Sequence, residues 1–139
     1  MATYNKFQQY IEDVFEKVHD SDSDQFVIAL TTNASAPVAT NSILGNLTTI
    51  SYTNLSSRNV TTTSGAQTTG TYKLVLADLV LTASGAVATF RWVVLYNDTP
   101  TSPADPLVAY WDYASDVTLA NTETFTIDFD ATNGVLQAT

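Results

Sequence analysis

Residues 86–113 constrain the fold more than any other stretch of the sequence. The first arm, 86–96, is rich in β-branched and aromatic residues, which favour strands. One of its two alternating faces is fully apolar, and the other is apolar apart from Thr89 and Arg91. A strand of this kind is covered on both sides in a folded protein. The first arm contains Trp92. After a turn at 97–106, the second arm, 107–113, contains Trp111, the second of the two tryptophans. We therefore expect this strand pair at the centre of the core, or at an assembly interface.

Aromatic and proline residues of the strand pair and its turn form the candidate protein–protein interface. Tryptophan and tyrosine often anchor interfaces, and prolines reduce the entropy that a loop loses on ordering. Core filling and interface formation are compatible if one face of the pair serves each purpose. The candidate interface residues are Trp92, Tyr96, Pro103, Pro106, Tyr110, Trp111 and Tyr113.

A helical pattern covers residues 4–19. Apolar residues recur there at three- and four-residue steps, which indicates an amphipathic helix. We expect this helix to pack on the domain's own sheet, and the alternative is that it docks on a partner. His19 falls at the predicted C-terminus, where the helix dipole favours a cation, so we assign it a structural role. The residues expected to be buried are Phe7, Ile11, Phe15 and Val18.

Short strand patterns separated by turn residues follow the helix. They are expected at 25–32, at 71–82 as a strand pair or one long strand kinked near Asp78, and at 124–130, where inward and outward residues alternate. Ser84-Gly85 is expected to form a hairpin turn into the strand at 86–96. The loop-rich segment 33–70 and the turn at 97–106 are candidates for partner contacts. The pattern predicts one mainly β domain over 1–139, an antiparallel β-sandwich that is jelly-roll-like, with one N-terminal amphipathic helix.

The composition offers little for catalysis. There is no cysteine and one histidine, and no G-x-S-x-G motif accompanies that histidine. We expect no enzymatic activity, no catalytic residues, no cofactor and no metal. The run 128–134 departs from the spacing of a calcium loop, and a polar turn is the expected alternative.

Charge and hydropathy exclude two further classes of partner. The net charge is −9, and the five basic residues are scattered, so nucleic-acid binding is not expected. No apolar run approaches the length of a membrane span, and no secretory signal is visible. We expect the protein to be made in the cytoplasm and to take any later location by assembly.

Four stretches resemble small structural proteins of tailed bacteriophages. They are Met1-Ala-Thr-Tyr-Asn-Lys-Phe-Gln8, the run from Ser64 to Asp78, the run from Val94 to Leu107, and the closing run from Thr124 to Leu136. Within that set, the size, the acidity and the sandwich pattern are most similar to capsid decoration (cement) proteins.

The resemblance implies a non-enzymatic virion protein that stabilises the head by binding the major capsid protein on the outer shell. It further implies a position on the capsid exterior for a protein made in the host cytoplasm. We expect a homo-oligomer, because self-association around a symmetry axis is a simple way for each copy to contact two capsid subunits. Packaged DNA is densely anionic and would repel a chain of charge −9, which favours the outer surface. A tail or head–tail structural protein is the first alternative. A carbohydrate-binding or depolymerising module, with exposed aromatic residues beside carboxylates in a groove, is the second.

Overall fold

The computed structural model describes residues 2–139, so Met1, the first residue of the predicted domain, lies outside the described residues. Within them the chain is mainly β, with antiparallel strand pairs and one α-helix, as the sequence predicts. The helix α1 is Gln9–Phe15, and single 3-10 turns lie at Asn33–Ser35 and Leu44–Asn46. The strands are β1 (Asn5–Lys6), β2 (Phe26–Thr31), β3 (Asn59–Val60), β4 (Thr62–Thr68), β5 (Thr71–Leu76), β6 (Leu79–Thr82), β7 (Phe90–Asn97), β8 (Leu107–Val117), β9 (Thr124–Ile127) and β10 (Leu136–Ala138).

The strands of residues 2–139 form three sheets. The largest has five strands in the order β1-β8-β7-β2-β3. The second has the order β10-β5-β4, and the third pairs β6 with β9. β7 therefore lies in the middle of the largest sheet, between β2 and β8.

β7 is covered on both faces, which confirms the prediction for the strand at 86–96. Val93 and Leu95 point into the larger core cluster. Val94 and Tyr96 point into a second cluster on the other face, with Phe7. The strand begins at Phe90 rather than Ala86, and β8 extends beyond the predicted Tyr113 to Val117.

One core joins the three sheets. The larger cluster takes Ile28 and Leu30 from β2, Leu74 from β5, Leu81 from β6 and Ile127 from β9. Because each of these strands contributes buried apolar side chains to the same cluster, the sheets pack on a common interior.

The predicted hairpin at Ser84-Gly85 is wrong. β6 pairs with β9, from Leu79↔Ile127 to Thr82↔Thr124, and not with β7. The Ser84 N–H donates to the Asn54 carbonyl at 2.8 Å, and Asn54 Nδ2 donates to the Ala86 carbonyl at 3.1 Å. A Cβ on Gly85 would lie 2.7 Å from Asn54 Nδ2. The glycine therefore permits close packing of two loops, a role that the sequence pattern does not distinguish from a turn.

The other strand predictions are confirmed with changed ends. β2 matches 25–32, and of the two alternatives for 71–82 the strand pair is confirmed, since β5 and β6 are separate strands with Asp78 between them. In 124–130 the regular strand stops at Ile127, but Ile127 and Phe129 are buried as expected. Asp78 accounts for both irregularities, because its side chain accepts a hydrogen bond from the Phe129 N–H at 2.9 Å.

The loop-rich segment 33–70 contains no long strand before β4, and its first half lies on the five-stranded sheet. Leu44 and Leu47 pack against the second core cluster. The Leu44 N–H donates to the Asp105 carbonyl, and the Leu107 N–H donates to the Ser42 carbonyl, both at 2.9 Å. These bonds hold the loop against β8, while the Thr- and Ser-rich β4 follows as a largely exposed edge strand.

The predicted helix at 4–19 is wrong in length. Asn5 and Lys6 form β1 on the edge of β8, opposite Tyr110 and Ala109, because strand pairing there also inserts Phe7 into the second cluster. The helix then ends at Phe15, with Lys17 in the left-handed region at a φ of 64°.

A Schellman motif closes this short helix without a glycine. The Val18 N–H donates to the Asp13 carbonyl at 2.8 Å, and the Lys17 N–H donates to the Val14 carbonyl at 3.3 Å. Glycine usually occupies the left-handed position in this motif. The sequence therefore gives no stop signal before the polar run at 19–24.

The shorter helix also faces a different way. Phe7 is buried as expected, but it lies before α1. On the helix, Tyr10 and Asp13 are buried, while Ile11 and Phe15 are exposed and Val18 is half-buried. The expectation that Ile11 and Phe15 are buried in the core is wrong, because helical pairing begins after Phe7 and turns the inner face toward Tyr10 and Asp13.

The two phenylalanines give a stability test. We expect Phe7→Ala to lower the free energy of unfolding by about 3–5 kcal/mol, because a fully buried ring leaves a cavity. Phe15→Ala is the matched control, with an expected change within about 0.5 kcal/mol, because that ring is 83% exposed. Urea denaturation of both variants measures this. Equal losses would show that Phe15 packs within the chain.

Candidate functional site

The outer face of α1 is the largest cluster of exposed apolar side chains near one cavity. Phe15 is 83% exposed and Ile11 is 44% exposed, and Tyr4 and Val14 are exposed beside them. Large apolar groups of this kind, gathered in one place, mark an interaction surface more often than scattered ones do.

An open groove of about 990 Å³ lies beside this face. We call it the α1–β10 groove: α1 and Tyr4 form one side, and Val135 to Ala138 with Tyr72 form the other. β10 pairs only with β5, so its outer edge has no strand partner within the described residues. A groove beside an unpaired strand edge suits a protein segment, which supplies both apolar side chains and backbone hydrogen-bonding groups.

The turn before β10 sets the position of that side of the groove. Gly134 has a φ of 78°, and a Cβ there would lie 2.5 Å from the Leu74 carbonyl oxygen. The Val135 N–H donates to the same carbonyl at 2.8 Å. Only glycine fits this approach, so Gly134 fixes how closely β10 joins β5.

The charges of the groove balance. Lys6 and Lys17, two of the five basic residues of the chain, line it together with Asp20 and Asp22. The chain as a whole has a net charge of −9. This surface is therefore much less repulsive to an acidic partner than the rest of the molecule.

Tyr10 and Tyr72 are among the residues that line the groove. Burial raises the pKa of Tyr10 to about 12, although a hydrogen bond with Ser21 opposes the shift. Burial also raises the pKa of Tyr72, whose hydroxyl shares Ser21 as a partner. Both hydroxyls therefore stay neutral near pH 7, and they supply hydrogen bonds rather than a base.

His19 lies behind α1 in a buried polar cluster. It is 8% exposed, and its ring packs tilted against that of Tyr10, with the ring centroids 4.9 Å apart. His19 Nδ1 lies 3.1 Å from Asn97 Nδ2, which also donates to Asp24 Oδ2 at 2.6 Å. His19 Nε2 lies 4.0 Å from Asp13 Oδ2. The predicted position at a helix C-terminus is therefore wrong: the helix ends at Phe15, and burial lowers the pKa of His19 instead of favouring a cation.

The polar neighbours of His19 are an amide and a carboxylate. Nδ1 of His19 is engaged by the Asn97 amide rather than by a hydroxyl nucleophile. In residues 2–139 no group of three or more His, Cys, Asp or Glu side chains could hold a metal ion. Among the same residues no helix is long and apolar enough to cross a membrane.

The residues of the candidate interface predicted from the sequence do not form one exposed patch. Tyr96 and Pro106 are buried, whereas Trp92, Pro103, Tyr110 and Trp111 are half-buried. Tyr113 is 51% exposed. Tyr96 and Pro106 therefore contribute to packing within the chain, and an interface at the exposed parts of the others stays a prediction.

Contacts within the chain account for much of the aromatic surface. Tyr110 packs on Phe7 at 4.7 Å between ring centroids, and Tyr113 packs edge-on against Phe125 at 5.2 Å. The ring centroids of Trp111 and Tyr4 lie 5.8 Å apart, so the strand pair reaches the groove through one tyrosine.

Two carboxylates, Asp112 and Asp130, have local hydrogen-bond partners. Arg91 donates to both oxygens of Asp112, at 2.7 and 2.8 Å, and this hydrogen bonding lowers the pKa of Asp112. In the turn resembling a calcium loop, backbone and side-chain hydrogen bonds from Asn133 lower the pKa of Asp130. Asp130 therefore closes a polar turn.

Comparison of the chain with family models, with curated proteins and with solved structures gives no match.

The left-handed residue that ends α1 gives a second test. We expect Lys17→Gly to raise the free energy of unfolding by about 0.5–1 kcal/mol, because a side chain at positive φ is strained. Glu12→Gly is the control in the same helix and should lower it by about 1 kcal/mol. Thermal and urea denaturation measure both. A loss of stability in both variants would contradict the Schellman ending.

Proposed function

We propose that this chain is a non-enzymatic structural protein of a tailed-phage virion, a capsid decoration (cement) protein that binds the major capsid protein on the outer shell. The resemblance of the four sequence stretches suggests the virion. The observation that carries a binding role is the exposed Phe15 on α1, beside an apolar groove. A folded chain gains nothing from leaving this ring in water, whereas a partner could bury it as an anchor.

The proposed occupant of the α1–β10 groove is a surface segment of the major capsid protein with an apolar centre and charges of both signs at its edge. Lys6 and Lys17 would face acidic groups of such a segment, and Asp20 and Asp22 would face basic ones. The unpaired edge of β10 would accept backbone hydrogen bonds from the segment if it is extended.

Cementing requires each copy to contact more than one capsid subunit. A homo-oligomer around a symmetry axis meets this requirement without enlarging the groove. The exposed Tyr113 on β8 is a candidate contact between copies, as the aromatic strand pair suggested. The jelly-roll-like sandwich belongs to the same proposal, and the core shared by all three sheets supports it.

The alternatives differ in what the groove binds. A tail or head–tail structural protein would use the same surface on a different virion partner. A carbohydrate-binding or depolymerising module is favoured by one feature: the tyrosines Tyr4 and Tyr72 line the same groove as Asp20 and Asp22. Oligosaccharide binding that Asp20→Asn abolishes would support that second alternative.

A binding assay on capsid shells that lack this protein tests the proposal. We expect Phe15→Ala to raise the Kd for shells by about 30-fold or more, since anchors contribute about 2 kcal/mol and 1.4 kcal/mol corresponds to tenfold. Val80→Ala removes a side chain on β6 that is 51% exposed and does not line the groove, and it is the matched control. It should leave the Kd unchanged.

Two results would count against this account. If Tyr113→Ala weakens shell binding while Phe15→Ala does not, the docking surface is the strand pair and not α1. If the unaltered protein binds no shell, the decoration function itself is wrong.

A further inference from the structure

A buried polar cluster joins α1 to the five-stranded sheet, and we call Asp13, His19, Asp24 and Asn97 the His19 latch. Asp13 is on α1, Asn97 ends β7, and the other two lie in the connection between α1 and β2. Asp13 is 4% exposed and His19 is 8% exposed. His19 also lines the α1–β10 groove, whereas Asp13, Asp24 and Asn97 do not, so the burial of Asp13 and Asn97 needs a separate explanation.

The hydrogen bonds of Asn97 determine the protonation state of His19. Asn97 Oδ1 accepts from the Thr99 N–H at 3.1 Å, which fixes the orientation of the amide. The two hydrogens on Asn97 Nδ2 then point to Asp24 Oδ2, at 2.6 Å, and to His19 Nδ1, at 3.1 Å. His19 Nδ1 must therefore accept, which only the neutral ring with its proton on Nε2 can do.

The opposite nitrogen faces the helix. His19 Nε2 and Asp13 Oδ2 lie 4.0 Å apart, and both are buried without a hydrogen-bond partner. The other oxygen of Asp13 accepts from Gln9 Nε2 at 3.2 Å. The ring thus lies between the amide of β7 and the carboxylate of α1, and a displacement of the ring affects the position of the helix.

We propose that the His19 latch is a pH-sensitive device that holds α1. Protonation of His19 Nδ1 places its N–H against the N–H donor of Asn97 Nδ2, and this conflict releases the helix. Turning the Asn97 amide would not relieve the conflict. Its Oδ1 would then face Asp24, and its Nδ2 would face the Thr99 N–H, so two other bonds would be lost. The released helix carries Phe15 and one side of the groove. This consequence for docking rests on the proposed function, whereas the latch itself does not.

The groups around the ring give the direction of the pH dependence. Burial lowers the pKa of His19 below the usual 6.5, and this outweighs the opposite influence of the carboxylates of Asp13 and Asp24. From the helix the Tyr10 hydroxyl, with a pKa of about 12, is neutral, and from β7 the Asn97 amide carries no charge. We call the state with His19 buried behind α1 the closed state, and the state with the helix released the open state. The open state therefore binds a proton more readily than the closed one. The closed state is fully favoured above pH 6.5, and it is progressively lost as the pH falls toward the lowered pKa.

Nuclear magnetic resonance of the single histidine tests the geometry directly. The ¹⁵N shifts of the ring distinguish the two neutral tautomers and give the titration midpoint. We expect the Nε2–H tautomer near pH 7.5 and a midpoint below 6.5. A Nδ1–H tautomer, or a midpoint at or above 6.5, would overturn the proposal.

Amide hydrogen exchange of the isolated protein tests the release. Between pH 7 and 5, after correction for intrinsic rates, opening at the Glu16 and Val18 amides should increase by up to about tenfold per pH unit, since one proton is taken up. Exchange of the β7 amides should not show this pH dependence. A flat profile for the helix amides would overturn the proposal.

Matched variants identify the titrating group. His19→Asn keeps an acceptor near the Nδ1 position but takes up no proton, so its helix profile should be flat. Asp116→Asn removes an exposed carboxylate of β8 and should keep the wild-type slope. A wild-type slope in His19→Asn would overturn the assignment. If His19→Asn does not fold, the titration and exchange of the unaltered protein still decide.

Shell binding at pH 7 and pH 5.5 separates the latch from the docking surface. If both proposals hold, the unaltered protein loses affinity at pH 5.5 and His19→Asn does not. If exchange shows release but shell binding does not change, the latch stands and α1 is not the docking surface.

Discussion

Burial of β7 on both faces is the constraint on which the rest of the structure depends. Val93 and Leu95 require one apolar layer, and Val94 and Tyr96 require another. β2 and β8 satisfy the edges of β7, the two smaller sheets cover one face, and Phe7 with the loop at Leu44 and Leu47 covers the other. Because Phe7 belongs to that cover, the chain pairs as β1 just before it and reaches helical geometry just after it. The exposed position of α1 follows from this arrangement.

Much of the β-structure could be predicted from the sequence because alternation and β-branched residues report burial directly. The two-sided burial of β7, the break at Asp78 and the inward Ile127 and Phe129 are examples. The errors arise where tertiary contacts override a local signal. Gly85 looks like a turn residue but makes room for Asn54, and Lys17 ends a helix at a left-handed position where glycine is usual.

The candidate site was harder to predict than the fold. An apolar stripe containing Ile11 and Phe15 looks the same whether it faces a core or a partner, so the pattern favoured the commoner case. The inner face of the helix includes Asp13. A hydropathy pattern predicts that such a carboxylate is exposed, whereas here it is buried. Contacts with Gln9 and His19 make this burial possible, and the sequence pattern does not reveal them. The aromatic residues of the strand pair suggested an interface from the sequence, but many of them pack within the chain.

These constraints leave the molecule with a well-packed β core and one apolar helix face that its own fold does not cover. An electron-microscopy map of the particle tests the central claim, that this face docks on the capsid exterior, most directly. The account predicts density for the chain on the outer shell at boundaries between capsomers, with α1 and Phe15 against the major capsid protein. Density in the tail, or on the shell with α1 turned to solvent, would contradict it.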